Sequence, residues 1–340
     1  MTPLEQLPIP LLQWYHETAR SLPWRAAPTP YHVLVSELML QQTRVAAVLE
    51  YYRLFMEALP TVEALAAVED DRLMKLWQGL GYYNRARNLK NAARRIVDEL
   101  GGEFPRRYED ILLLPGVGEY TAGAVASIAF GLPVPAVDGN VLRVVSRLTA
   151  DYGDISKAST KRRMRDALQA VIPVAAPGDF NQALMDLGAL VCLPNGAPVC
   201  QRCPAGEFCA AKRLDCAGEL PIKPQKKARR IEARTVYFIF YEGKVALRRR
   251  GDRGLLARLW EYPNELSPGA CPVPPASVEH GGAGKHIFTH VEWHMTGQII
   301  RPVSGTLPDG WVWADREALG QRYAIPNAFR GFTPLVERNL

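Results

Sequence analysis

A chain of 340 residues, 48% apolar and 22% charged, has the composition of an ordinary globular protein and the length for two domains with their own cores. No apolar run is long enough to span a membrane and Met1–Pro10 carries no secretory pattern, so the chain reads as cytosolic. The net charge of +6 favours polyanionic partners, and five of the six cysteines fall within Cys192–Cys216, a clustering that in the cytosol argues for metal before disulfides.

In chain order, residues 11–190 read as wholly helical. Leu11–Arg20 is a short amphipathic helix, closed by Leu22-Pro23-Trp24-Arg25. Thr29-Pro30 starts the next, with a Thr cap and Pro in the first turn. Helical segments follow near 31–40, 44–58, 70–77, 84–100, 119–130, 138–150, 160–171 and 179–190, most of them separated by Gly or Pro. The stretch Leu220–Arg234 holds two prolines and six basic residues and reads as an exposed linker, placed at 217–232. Beyond it the period changes to two. Thr235–Tyr241, Lys244–Arg249 and His286–Ile300 are strand-like, Glu242-Gly243 reads as a hairpin turn, and Asp315–Gly320 as a short helix. An all-α domain therefore precedes a smaller α+β domain.

The chain is organised around Ile111–Asn140. Leu114-Pro115-Gly116-Val117-Gly118 cannot be helix interior: Pro115 lacks an N–H, and the two glycines permit the positive φ of a sharp turn. Such a turn between two helices aims backbone N–H groups outward at a helix start, which makes Gly116, Val117 and Gly118 the expected phosphate contacts. Twenty residues on, Asp138 opens a helix, where the dipole favours its anion; an ordinary N-cap is the plainer alternative. Glu37 lies within the apolar run Val33–Leu40, where desolvation favours the protonated acid, unless it pairs with Arg44 or faces solvent. One acid held neutral and one held ionised is the arrangement used to cleave glycosidic bonds. The thiols run Cys192-x7-Cys200-x2-Cys203-x5-Cys209, which satisfies an iron–sulfur cluster or a zinc site. Gln41-Gln42 and Gly81-Tyr82-Tyr83 fall in breaks between helices, where amides and rings suit insertion into a base stack or serve as ordinary turn and core residues.

Taken together, LPWR (Leu22–Arg25), SELMLQQTRV (Ser36–Val45), GLGYYNRARNL (Gly79–Leu89), LPGVGEYTAGAVAS (Leu114–Ser127), VDGNVLRV (Val137–Val144), FNQALMDLGALVC (Phe180–Cys192), the cysteine cluster, LWEYP (Leu259–Pro263) and FTH (Phe288–His290) resemble the adenine DNA glycosylases of the MutY family over nearly the whole chain. The resemblance implies a multidomain protein: an all-α helix–hairpin–helix glycosylase domain at 1–216 with a 4Fe–4S cluster loop at 192–209, then an α+β Nudix-like domain at 233–340 that recognises 8-oxoguanine. It implies removal of adenine mispaired with 8-oxoguanine or guanine in double-stranded DNA, by a monomer at the bacterial nucleoid. Glu37 matches the acid that protonates adenine N7, and Asp138 the carboxylate that stabilises the oxocarbenium ion. Asn140 and Tyr120 match neighbours that position the sugar and nucleophile. Arg25 and Gln182 match residues near the extruded adenine, Gln42 and Tyr82 wedge contacts around the oxidised guanine, and Phe288, Thr289 and His290 the lesion-reading loop. Cys192, Cys200, Cys203 and Cys209 match the cluster ligands. Relatives of the endonuclease III type carry at the Tyr120 position a lysine that forms a Schiff base and cleaves the strand. With tyrosine there, base release without strand scission is expected.

Three departures accompany the match. The family usually has six residues between its first two cysteines and this chain has seven, which makes Cys216 a reserve ligand; Thr289 replaces the usual serine. The second domain also lacks the carboxylate box of a nucleotide pyrophosphatase: six residues after Gly254 stands Trp260, and no paired glutamates follow.

Overall fold

The computed structural model describes residues 1–224 and 228–340. Residues 225–227 of the expected linker at 217–232 lie outside the described residues. The chain divides into two compact units, Met1–Ala67 with Arg87–Gln225, and Val68–Ala86 with Lys226–Leu340.

The first unit is helical. It holds α1 (Pro8–Thr18), α2 (Pro23–Ala26), α3 (Pro30–Leu40), α4 (Val45–Ala58) and α5 (Val62–Ala67). The first helix begins earlier than Leu11 because Pro8 sits comfortably in its opening turn, where no N–H is needed. Thr29 caps α3 as its sequence implies, its hydroxyl accepting from His32 N at 3.2 Å. After α6 (Asp70–Leu76), which clusters with the second unit, come α7 (Asn84–Leu100), α8 (Tyr108–Leu112) and α9 (Glu119–Ala124). The chain continues from α9 through a π turn at Val125–Ala129. Then follow α10 (Gly139–Thr149), α11 (Ala158–Gln169), α12 (Pro177–Leu190) and the short α13 (Ala210–Arg213). The amphipathic α10 and α12 pack on α1 around fully buried Leu7, Leu11, Val141, Phe180 and Leu184. Where α12 crosses α10, a Cβ on Gly188 would stand 2.6 Å from Asn140 Cβ, so only glycine allows that approach.

The second unit is built on one sheet of β1 (Arg230–Tyr241), β2 (Lys244–Arg249), β3 (Trp260–Glu261), β4 (Asn264–Leu266), β5 (Pro275–Ile287), β6 (Val291–Pro302) and β7 (Trp311–Ala314). The main path runs β3-β2-β1-β6-β5, with β1 and β6 parallel; β4 pairs with β1 and β7 with β2. The Glu242-Gly243 hairpin turn forms as read, with positive φ at both positions. The expected strand His286–Ile300 is instead two strands. β5 and β6 are antiparallel and joined by Phe288-Thr289-His290, where a chain reversal interrupts the alternation. One face of the sheet packs Phe238, Phe240, Trp293 and Met295 against Phe329, Phe332 and Val336 from α15 (Thr333–Asn339) and the turn before it. The short helix expected at Asp315–Gly320 is α14 (Arg316–Gln321), capped by Asp315, whose Oδ1 accepts from Ala318 N at 2.8 Å.

Val68–Ala86 belongs with this unit for a chemical reason, although the sequence reading placed it in the first domain. Lys75 Nζ donates to Leu319 O at 2.7 Å, Gln78 Nε2 to Ile325 O at 3.1 Å, Trp260 Nε1 to Asp71 Oδ1 at 3.2 Å, and Asn327 Nδ2 to Gly79 O at 2.9 Å.

Candidate active site

Glu37 lies on α3 and is only 5% exposed. The apolar run Val33–Leu40 leaves the helix no solvent-facing turn, so the carboxyl has to find its partners inside. It accepts a short hydrogen bond from the Tyr120 hydroxyl of α9, not an ion pair from Arg44. Burial raises the Glu37 pKa from its usual 4.5 to about 7; the negative charge of Asp138 adds to this, while the Tyr120 hydrogen bond and Arg25 oppose it. Tyr120 is held well above the ordinary phenol range by burial and by the two carboxylates, so it remains a donor. Met185 of α12 completes this corner, its sulfur 3.7 Å from the Tyr120 hydroxyl.

This burial makes a stability prediction. Below pH 4.5 the acid is protonated in both the folded and unfolded chain. Between 4.5 and about 7 the unfolded form ionises while the folded one keeps its proton, so stability falls with rising pH over that window. Glu37→Gln removes this penalty, and above pH 7 the variant should exceed the wild type by about 3 kcal/mol. Urea melts at pH 4 and pH 8 check it: the gap should open only at the higher pH.

Asp138 is the N-cap of α10. Its Oδ1 accepts from Val141 N and its Oδ2 from Asn140 Nδ2, each at 2.8 Å. The helix start favours its anion as expected, through the backbone N–H groups of Val141 and Asn140, but burial outweighs it. Burial pushes its pKa up, against the pull of those hydrogen bonds and of Arg143. The Asp138 charge raises the pKa of both Glu37 and Tyr120.

Behind Asp138 stands a set of residues that the sequence did not single out. Arg143 Nη2 donates to Asn140 Oδ1 at 2.9 Å and to Gly188 O at 2.7 Å, and its Nε donates to Cys192 O at 2.9 Å. Asn181 is fully buried and spans the loop leading into Asp138. Its Oδ1 accepts from Ala136 N at 3.0 Å, and its Nδ2 donates to Ser127 Oγ at 2.8 Å and Val134 O at 2.9 Å. The only sequence clue to Asn181 was its place beside Gln182 in FNQALMD. Arg25, on α2, grips the buried Asp186 with two bonds of 2.8 and 2.9 Å. Gln182, Met185 and Asp186 stand on one face of α12 at i, i+3 and i+4.

The expected turn forms between α8 and α9. Gly116 has φ of +75°, and a Cβ there would stand 2.4 Å from Asn88 Cβ. Val117 N is committed to Leu114 O at 3.1 Å, which corrects its expected place among the phosphate donors; among the described residues, the Gly116 and Gly118 N–H groups take no backbone partner in this turn. Gly116→Ala is expected to destabilise the chain by about 1–3 kcal/mol and to weaken duplex binding. A urea midpoint equal to the wild type's would contradict this reading of the turn.

Cys192, Cys200, Cys203 and Cys209 line one cavity of about 30 Å³ with Val191, Pro198, Arg147 and Lys212. The seven-residue first interval thus leaves all four expected thiols around one space. Cys216 does not line this cavity and packs with Ala211 and Leu220 in a cluster against which Cys209 also rests. Arg147 Nη1 donates to Cys192 Sγ at 3.3 Å. Lys212 Nζ would stand 3.4 Å from a Cβ on Gly206, and that Cβ would meet Cys200 O and Cys203 O at 3.0 and 3.1 Å, so a glycine lets the loop fold tightly here. Among the described residues, no three His, Cys, Asp or Glu side chains converge closely enough to hold a single metal ion.

In the second unit, Tyr82 meets the 288–290 turn: its hydroxyl is 3.3 Å from Thr289 Oγ1 and its ring is stacked by Arg85. Thr289 and His290 are exposed, whereas Phe288 is half-buried, with its ring centre 4.9 Å from that of Trp293. Tyr82 and, in the first unit, Gln42 both have positive φ, an uncommon conformation for such residues.

A family model described as "HhH-GPD superfamily base excision DNA repair protein" matches residues 35–170, and one for the NUDIX domain matches 235–333. The adenine DNA glycosylase of Rattus norvegicus is 34% identical, with 94% of this chain and 76% of the relative covered. The chain belongs to the adenine DNA glycosylase family. The adenine DNA glycosylase of Buchnera aphidicola subsp. Baizongia pistaciae is 35% identical over 74% of this chain and 72% of its own length. Among solved structures, a thermostable thymine-DNA glycosylase superposes with a TM-score of 0.55 at 29% identity, covering 62% of this chain and 97% of that one. The fold expected from sequence therefore holds, and this adenine DNA glycosylase family member is a DNA-repair hydrolase whose substrate is DNA. Among the described residues, no helix is long and apolar enough to cross a membrane.

Proposed function

We propose that this glycosylase hydrolyses the N-glycosidic bond of adenine mispaired with 8-oxoguanine or guanine in duplex DNA, leaving an abasic site. The observation that carries the proposal is the Tyr120 hydroxyl hydrogen-bonded to a buried, proton-retaining Glu37 within reach of the Asp138 charge.

Adenine leaves poorly as an anion. The base is extruded from the stack, at a cost of a few kcal/mol, and Glu37 donates its proton to N7 as the C1′–N9 bond breaks. Asp138, aimed by Val141 N and Asn140, stabilises positive charge growing on the sugar as an anion. Burial raises its pKa, and the hydrogen bonds from Val141 N and Asn140 with the Arg143 charge oppose this, so the reacting state is the one with Asp138 ionised and the proton on Glu37. Water then adds at C1′, giving up a proton to the Glu37 carboxylate, which is thereby restored as the acid. Tyr120 offers a hydroxyl rather than an amine, so no Schiff base forms there and the strand stays intact.

Arg25 and Gln182 would flank the base, Gln42 and Tyr82 would fill the gap around the partner guanine, and Thr289 and His290 would read the lesion. Half-buried Phe288 supports their turn from beneath. The four thiols fit a 4Fe–4S cluster: they ring a cavity rather than one point, and Cys192, Cys200, Cys203 and Cys209 would hold it, with Arg147 on Cys192 Sγ and Lys212 in the cavity wall offering positive charge beside the thiolates. Bound there, the cluster would fix the 192–209 loop. The domain limits 1–216 and 233–340 remain our reading of the two functions, as do a monomeric state and a cytoplasmic, nucleoid-associated location.

The test is a duplex carrying adenine opposite 8-oxoguanine, incubated with purified protein with and without alkali. Strand breaks should appear only after alkali. Breaks without alkali would overturn the monofunctional reading, and no breaks in either case would overturn the substrate.

A further inference from the structure

We propose that Asp186 is a positioning residue for base release: it clamps Arg25, together with Arg20, in a fixed pose with its charge balanced, on the α2 that packs against the Glu37-bearing α3. The inference rests on the reading of Glu37 as proton donor and extends it to a group that does not touch the base.

The geometry is a closed ion cluster. Asp186 is 1% exposed and accepts four bonds: two from Arg25 at 2.8 and 2.9 Å, one from Arg20 Nε at 3.1 Å, and a further short one from the Arg20 guanidinium. The Arg25 pair uses both carboxylate oxygens, a fork-on-fork contact that fixes the guanidinium plane. Tyr15 of α1 closes the other side, its ring centre 5.5 Å from the Arg25 carbon. Arg20, Arg25 and Tyr15 come from the first 25 residues and Asp186 from α12, so this cluster also ties the N-terminal segment to the helix that carries Gln182. Neighbouring cations hold the Asp186 carboxyl below the usual carboxylate range despite its burial, so it stays ionised. Burial raises the Tyr15 phenol to about 12, so it stays neutral.

The consequence falls on Glu37. The groups acting on it are Tyr120 of α9, Asp138 at the start of α10 and Arg25 of α2. The π turn packed on α3 has no titratable side chain, and Glu50, Arg53 and Glu57 of α4 are exposed and paired with one another. Among the described residues, Arg25 is the cation whose charge favours ionised Glu37, and Asp186 offsets it. Asp186→Asn retains the shape and removes the balancing charge. Glu37 should then lose its proton at lower pH.

The experiment is single-turnover adenine release as a function of pH for wild type, Asp186→Asn and the double variant Asp186→Asn/Arg25→Gln, with duplex affinity and circular dichroism as folding controls. The expected result is that the alkaline fall in rate moves to lower pH by about one unit in Asp186→Asn and moves back in the double variant, where the Arg25 charge that acts on Glu37 is gone. A folded Asp186→Asn whose pH profile overlays the wild type's overturns the clamp. Glu37→Gln is run beside them. If it is inactive while the Asp186→Asn profile is unmoved, only the clamp fails; if it retains full activity, the Glu37 reading fails and the clamp with it.

Discussion

Glu37→Gln is expected to lower the single-turnover rate of adenine release by about a thousandfold while leaving duplex affinity within about twofold of wild type. Glutamine matches the size of the acid and can still accept from the Tyr120 hydroxyl, so the corner built by Tyr120 and Met185 should survive. What is lost is the transferable proton. Without it adenine must depart as an anion, and the barrier rises in the chemical step alone. Rapid-quench kinetics beside a gel-shift titration separate the two quantities. Loss of affinity with an unchanged rate of chemistry would show that Glu37 holds DNA rather than delivering a proton.

Asp138→Asn carries the second large effect. Asparagine is as good an N-cap as aspartate, and its carbonyl oxygen can still accept from Val141 N, so α10 should start as before. The negative charge facing the sugar is gone, and the rate should fall by about a hundredfold to a thousandfold with little change in melting temperature. Thermal melts beside single-turnover rates check this. A fall of several degrees with a near-normal rate would instead make Asp138 a cap and nothing more.

The legible and illegible parts of the molecule divide on physical lines. Glu37 could be found because a lone carboxylate inside Val33–Leu40 has no route to water, and the turn at Leu114–Gly118 because proline and glycine leave the chain few conformations. The four-thiol cluster needed only spacing. Asp186 and Asn181 were hidden because their meaning lies in partners far along the chain: Arg20 and Arg25 more than 160 positions away, and Ser127, Val134 and Ala136 across the loop before Asp138. No local pattern marks an acid or an amide of α12 as a brace.

β5 escaped for a different reason. Its Gly-Gly-Ala-Gly centre carries little side chain, most of the strand faces solvent, and a bulge interrupts its pairing between His280 and Ala283, so neither composition nor alternation betrays it. The same omission merged β5 with β6 and concealed the reversal that presents Thr289 and His290 to solvent. The upward Asp138 shift was missed because a helix start visible in sequence says nothing of the burial that outweighs it.

The pH dependence of the wild-type reaction tests the central claim most directly. Single-turnover release of adenine opposite 8-oxoguanine should be fast below neutrality and fall as pH rises through about 7, where the buried Glu37 gives up its proton. A rate that stays level from pH 6 to about 9 would contradict proton delivery by Glu37.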